Sequence, residues 1–370
     1  MKRKIKSNNA ITLVALVITI VILLILSGIS ISALTNTGLF GKAKEAKMAS
    51  ENAQKQESEK LDEYEKEMDQ YGDNTLISNF NSGKIKVGDY IKYEPDKITD
   101  TDEDYKTLIS NLQKYSGSTA NTTESIKQEN LNWRILDAKD GKIRLISDEA
   151  TTSEINLSGY NGYNNLVKLL DDTCSILYGN GKFSNKTQNV KFEDIEAHMK
   201  NKFWKNPKIF TISNIKYPKI LEIEKGQTVV NGDNTYNGEE LDHSEQTELI
   251  EQDEIISAKA IKVNNTWFGE EMKEEQFLGK TDYEMLIKKN EYYLLSTRAL
   301  NPNPAETICN FDAIWIAWGK IQSNWMYSSS GNSNNIKAKF RPIITLNSSV
   351  QLDKVNSGDG SSPEKAYAIK

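Results

Sequence analysis

The chain has 370 residues, 38% hydrophobic and 26% charged, with a formal net charge of −6. That length is enough for one large globular body or two small ones. Lys2, Arg3, Lys4 and Lys6 put +4 at the very start, so everything after them sums to −10. An acidic body without clustered Lys and Arg repels phosphate backbones, which excludes nucleic-acid binding through a basic face.

The first element is the uncharged run Ala10–Leu34. A helix of about 25 residues at 1.5 Å rise exceeds the ~30 Å hydrocarbon core of a bilayer. No later stretch is long and apolar enough to do the same, so the sequence predicts a single span. Cations lie before it and the mixed-sign "GKAKEAK" after it, which keeps the N-terminus cytoplasmic and places the rest outside the cell. Removal as a secretory signal near Ser30–Ala33 is the alternative reading, although such signals ordinarily have an apolar core of about 7–15 residues.

The stretch "NNAITLVALVITIVILLIL" resembles the N-terminal segment of type IV pilins and pseudopilins. The resemblance implies that residues 1–10 are a basic leader closed by Ala10. It also implies that a prepilin peptidase would cut and N-methylate the chain at Ile11, and that other pilin-like subunits would be partners. Ala10 stands where the family usually has Gly. Ala15 stands where it has the Glu that neutralises the N-terminal amine of a neighbouring subunit. Together with "TGLFGKAKEAK", the first fifty or so residues are similar to a Glu-less pilin-like variant at the start of many Gram-positive surface proteins. A generic single-pass anchor predicts the same localisation.

From Lys42 to Gln70 the chain is rich in Ala, Glu, Lys and Gln and contains neither Gly nor Pro. Helix propensity and the pairs Glu51–Lys55 and Asp62–Lys66 predict a helical stalk over 35–72, stopped at Tyr71-Gly72-Asp73. The exported domain, 73–370, then opens with a strand in "KVGDYIKYEP" and a polar excursion, Thr99–Gln128, holding a short helix near Tyr105–Tyr115. "LNWRILDAKDGKIRLISDEA" predicts a hairpin around Asp140-Gly141, with Leu131, Trp133 and Ile135 on one face.

Two amphipathic helices follow. Tyr163, Val167, Leu170, Cys174 and Leu177 form the apolar stripe of the first, which stops at Gly179. Phe192, Ile195, Met199 and Phe203 form that of the second, with His198 on its polar side. An acidic insertion at about 224–254 reads as loop. Strands resume in the C-terminal part. There Phe311, Ala313 and Trp315 alternate with Ile314, Ile316 and Trp318, the pattern of an interior strand.

The pieces "WRILDAKDGKIRLISD", "YYLLSTR", "CNF" and "RPIITLNSSV" resemble a domain of unknown biochemical role in secreted and cell-wall-associated bacterial proteins. Its layout is similar to C-type-lectin-like and formylglycine-generating-enzyme-like folds. The fold class expected is α+β: a long N-terminal transmembrane-plus-stalk helix followed by a mainly antiparallel α+β globular domain.

Chemistry is sparse. Two histidines (His198, His243) and two cysteines (Cys174, Cys309) supply little for a tetrahedral metal site. Asp100, Asp102 and Asp104 imitate a calcium loop, but Tyr105 and Asn111 stand where its Gly and Glu belong. "GKTD" at Gly279 lacks the earlier Gly of a phosphate loop, and no Gly-x-Ser-x-Gly occurs. No metal, cofactor or enzymatic activity is therefore expected.

Cys174 and Cys309 are candidates for a disulfide outside the membrane, with two separate buried thiols as the alternative. Trp325 and Tyr327, with Trp315 and Trp318, are candidates for a sugar-stacking platform, with core filling as the alternative. Arg341 is expected to pin the sheet to an acid such as Asp148. Expected partners are the lipid bilayer and, through the resemblances, prepilin peptidase, pilin-like subunits and cell-wall glycan.

Overall fold

The chain divides into two compact units, Met1–Asp73 and Asn74–Lys370. The computed structural model describes residues 18–19, 74–200, 228–229, 236–237, 248–249, 260–262, 269, 271–287, 292–303, 308–328 and 331–370. Side chains are not described for 228–229, 236–237, 260–262, 300–303 and 308–309. Among the described residues no helix is long and apolar enough to cross a membrane. Ala10–Leu34 lies outside them except for Ile18 and Thr19, which are helical.

The second unit is α+β with mainly antiparallel sheets. It begins with α1 (Leu76–Asn81), capped by the Thr75 hydroxyl, which accepts from the Ser78 amide. Strand β1 (Tyr90–Lys92) is shorter than the sequence pattern suggests, because Gly88 just before it takes φ 90°. Helix α2 (Glu103–Tyr115) follows; Asp102 holds its N-cap position without a side-chain bond to the helix, its carboxylate accepting instead from the Thr99 amide at 2.6 Å.

The expected hairpin forms as β2 (Trp133–Lys139) and β3 (Lys142–Ser147). Its two-residue turn has φ 51° at Asp140 and 71° at Gly141, the left-handed pair that type I′ turns require. A β-bulge between Ile135 and Asp137 divides the β2 side chains between two cores. Trp133 and Ile135 enter the first core, whereas Leu136 enters the second. Trp133 is held edge-on by Tyr93 and Tyr178, with centroids at 5.2 and 5.9 Å.

Beyond β4 (Glu154–Ser158) lies α3 (Gly159–Tyr178), the longest helix described. Tyr163, Val167, Leu170, Cys174 and Leu177 are all buried in the first core, as their spacing demands. Fully burying side chains of this size contributes roughly 1.5–3 kcal/mol each as an upper estimate. The helix stops at Gly179, whose amide donates to Ser175 O at 3.0 Å.

After β5 (Ser184–Asn189) comes α4 (Phe192–Ala197), only six residues long. The expected apolar stripe is therefore cut short: Phe192, Ile195 and Met199 are buried, and Phe203 lies outside the described residues. Inside the acidic insertion, β6 (Thr228–Val229) and β7 (Tyr236–Asn237) pair antiparallel, where the sequence pattern suggested loop alone.

The remaining elements are β8 (Ala260–Lys262), α5 (Lys280–Leu286), β9 (Tyr292–Asn303), β10 (Ile308–Ala317), β11 (Lys320–Ser328), β12 (Asn335–Lys339), β13 (Pro342–Leu346) and β14 (Tyr367–Ala368). The larger sheet runs β14-β1-β2-β3-β13-β5, and only the β14–β1 pair is parallel. A second sheet runs β11-β10-β9-β8, which places β10 inside it as its two apolar faces require. Its Ile314 and Ile316 enter the second core, and Phe311 and Ala313 the first.

Candidate functional site

Asp137 of β2 and Arg144 of β3 are an acid and a base on neighbouring strands. The bulge at Leu136 puts them directly opposite each other across the β2–β3 ladder. The Arg144 guanidinium grips the Asp137 carboxylate with Nε (2.7 Å) and Nη2, and donates through Nη1 to Asp194 of α4. Asp194 also accepts from the Lys191 amide at 2.9 Å, so one carboxylate both opens the helix and neutralises the arginine.

His198 completes the network. The sequence places it on the polar side of a longer helix. Instead α4 ends at Ala197, and His198, at the C-cap, is only 4% exposed. Its Nδ1 lies 2.6 Å from Asp282 Oδ1 and its Nε2 3.2 Å from Asp137 Oδ2.

Burial opposes the charge on the imidazole, but hydrogen bonds to Asp137 and then Asp282 outweigh it and raise its pKa to about 9. Burial likewise opposes ionisation of Asp137, yet Arg144 and His198 lower its pKa to about 2. Three carboxylates thus face two cations. With both ring nitrogens held by carboxylates, His198 has no nitrogen lone pair turned toward a substrate, and the arrangement acts as an electrostatic clasp.

What the clasp fastens is the neck of the insertion. The Lys200 amide donates to Gln276 O and the Leu278 amide to His198 O, each at 2.9 Å, and Met199 bridges Phe277 antiparallel. The outgoing and returning chains therefore meet beside His198, and Asp282 of α5 lies on the returning side.

The remaining residues singled out in the sequence disperse. Ala10 and Ile11 lie outside the described residues. Cys174 is a free, buried thiol whose Sγ is 4.0 Å from Asn189 Oδ1. Cys309, the other half of the expected bridge, has no described side chain. Burial first, and the nearby Asp171 second, push the Cys174 thiol well above its ordinary pKa.

Arg341 does not meet the Asp148 carboxylate. Fully buried, it spends its donors on backbone carbonyls: Ser147 O (3.0 and 2.8 Å), Met285 O (2.6 Å) and Asp148 O (2.9 Å). The Asp148 carboxylate instead accepts from Tyr90 and Arg134.

Trp325 and Tyr327 do not form a shared platform. A bulge in the β10–β11 ladder pairs Phe311 with Tyr327 but Asp312 with Trp325. Neighbours along β10 point to opposite faces, so the two aromatics also lie on opposite faces despite their spacing of two. Tyr327 is 3% exposed and packs against Tyr160 (5.5 Å) and Phe311 (5.9 Å), whereas Trp325 is half-buried.

Among the described residues the exposed indole is Trp318, at 67%. Alternation extends the β10 pattern through Trp318, but the strand stops at Ala317 and Trp318 occupies the turn with φ 52°. The signals for these missed residues were an acid and a base on the two facing arms of one hairpin (Asp137, Arg144) and a Trp-Gly pair between two strand runs.

No family model matches the chain, and no curated protein or solved structure matches it.

Proposed function

We propose that this is a membrane-tethered, pilin-like surface protein with a cytoplasmic N-terminus and an exported, non-enzymatic α+β domain that binds or scaffolds at the cell surface. The observation that carries this reading is the uncharged Ala10–Leu34 run directly behind four cations. In this reading the run and the stalk over 35–72 form the transmembrane-plus-stalk helix, and the domain has a C-type-lectin-like layout. The engagement of both His198 nitrogens supports a structural rather than catalytic use of that residue.

Membrane fractionation tests the tether. The full-length chain is expected in the membrane pellet, released by detergent but not by high salt, with its C-terminal domain open to protease added outside intact cells. Recovery of the uncut chain in the soluble cytosolic fraction overturns it. N-terminal sequencing addresses the narrower reading as a subunit of a secretion or pilus machine. That version requires a mature chain starting at Ile11, and retention of Met1 removes it.

A further inference from the structure

A charged imidazole has two N–H donors, whereas the neutral ring has one donor and one lone pair. His198 is placed for the charged form: Nδ1 lies 2.6 Å from Asp282 Oδ1 and Nε2 3.2 Å from Asp137 Oδ2, a carboxylate on either side. Behind them stand Arg144 of β3, which grips Asp137, and Asp194 of α4, which pairs with Arg144. Taking one proton from the ring leaves three carboxylates around one guanidinium, with all five side chains largely buried. Repulsion between like charges is strong in such a setting.

The geometry also selects which contact fails. Asp137 is fixed by two hydrogen bonds from Arg144 and by the β2–β3 ladder, and its Oδ2 already accepts from Arg144 Nη2. Among the described residues Asp282 takes its side-chain hydrogen bond from His198, and that contact is the shorter of the two. The remaining proton accordingly stays on Nδ1 with Asp282. Nε2 then turns a lone pair on the Asp137 carboxylate, and two acceptors face each other. The ring is the movable partner, because His198 follows the last residue of α4 and the chain beside it is bonded to the returning segment at Gln276 and Phe277.

We propose that the neck at 198–200 and 276–282 is a proton-held seam: His198 shuts it by donating from both ring nitrogens, and loss of one proton parts the ring from Asp137 while Asp282 stays with it. The seam is closed at neutral pH and opens in alkaline solution, since the ring keeps its second proton up to about pH 9. This goes beyond the surface-protein reading and stands without it.

Nitrogen NMR of the full-length protein in detergent micelles, labelled with nitrogen-15 histidine, reads the ring directly, and His198→Gln separates its signals from those of His243. At pH 6 both His198 nitrogens are expected to carry protons. At pH 10.5 the one proton is expected on Nδ1, the opposite of the Nε2–H form that free neutral histidine prefers. Asp282→Asn is expected to reverse the tautomer, because its amide can donate to Nδ1. Trypsin cleavage after Lys280, corrected with a small peptide substrate for the protease's own pH dependence, is expected to rise about fivefold or more from pH 7.5 to pH 10, while cleavage after the exposed Lys182 stays within about twofold. His198→Gln is expected to show no rise, because its amide does not titrate. The proposal is overturned if neutral His198 carries its proton on Nε2 in the parent, if Asp282→Asn leaves the tautomer unchanged, if cleavage after Lys280 does not rise in the parent, or if it rises equally in His198→Gln.

Discussion

His198 Nδ1 sits 2.6 Å from Asp282 Oδ1, and this contact ties the C-cap of α4 to the first turn of α5 across the neck of a long insertion. Its pKa of about 9 lies above the unfolded value near 6.5, so the stabilisation is complete below about pH 6.5 and is lost as pH rises through 9. The difference corresponds to roughly 3 kcal/mol. Urea denaturation at pH 6 and pH 10 is expected to show the parent losing about that much more stability than His198→Gln over the interval. Equal slopes for the two proteins would remove the clasp from the account.

Asp137 gives the opposite sign at the acid end. Its pKa of about 2 lies below the ordinary carboxylate value of 3.8, so its contribution is intact above pH 4 and fades as pH falls toward 2. Asp137→Asn leaves Arg144 with only Asp194 in a buried setting and is expected to destabilise by about 3–5 kcal/mol at pH 7. The deficit relative to the parent should shrink on acidification, which denaturation midpoints at pH 7 and pH 3 would register.

Much of the fold was legible because it follows from period and turn chemistry. The stripe from Tyr163 to Leu177 marks α3, and Asp140-Gly141 marks the β2–β3 turn with its left-handed pair. The misreadings share one cause: a local break in period that long-range pairing imposes. The bulge that separates Trp325 from Tyr327 and the one that turns Asp137 onto Arg144 each displace side chains by one position. His198 was misplaced because the end of α4 is set by partners 61 and 84 residues away, which no local pattern contains.

Among the described residues Arg341 is a buried charge met by backbone carbonyls and an aromatic ring rather than by a carboxylate. Its guanidinium joins the end of β3 to α5 through carbonyls and lies 5.3 Å from the Tyr293 ring. Lysine offers a point charge and cannot reproduce the planar fork. Arg341→Lys is expected to cost about 2–4 kcal/mol, and Arg341→Met a similar amount through stranded carbonyls. Chemical denaturation of the two variants measures this, and a loss below about 1 kcal/mol in both would mean that water replaces the guanidinium.

Gly162 puts helix propensity against packing. In an exposed helix, Gly→Ala gains up to about 1 kcal/mol. Here a Cβ would sit 2.7 Å from Met326 Cε, 2.9 Å from Ser116 O and 3.0 Å from the Leu157 carbonyl carbon. The methionine can swing away, but the two backbone atoms belong to the end of α2 and to β4 and move only with those elements. Gly162→Ala is therefore expected to destabilise by about 1–3 kcal/mol. Gly162→Ala combined with Met326→Ala should recover little of that loss, because the backbone contacts remain. Thermal unfolding of the single and double variants separates the two terms, and full recovery in the double variant would show that the side chain alone sets the spacing between α3 and its neighbours.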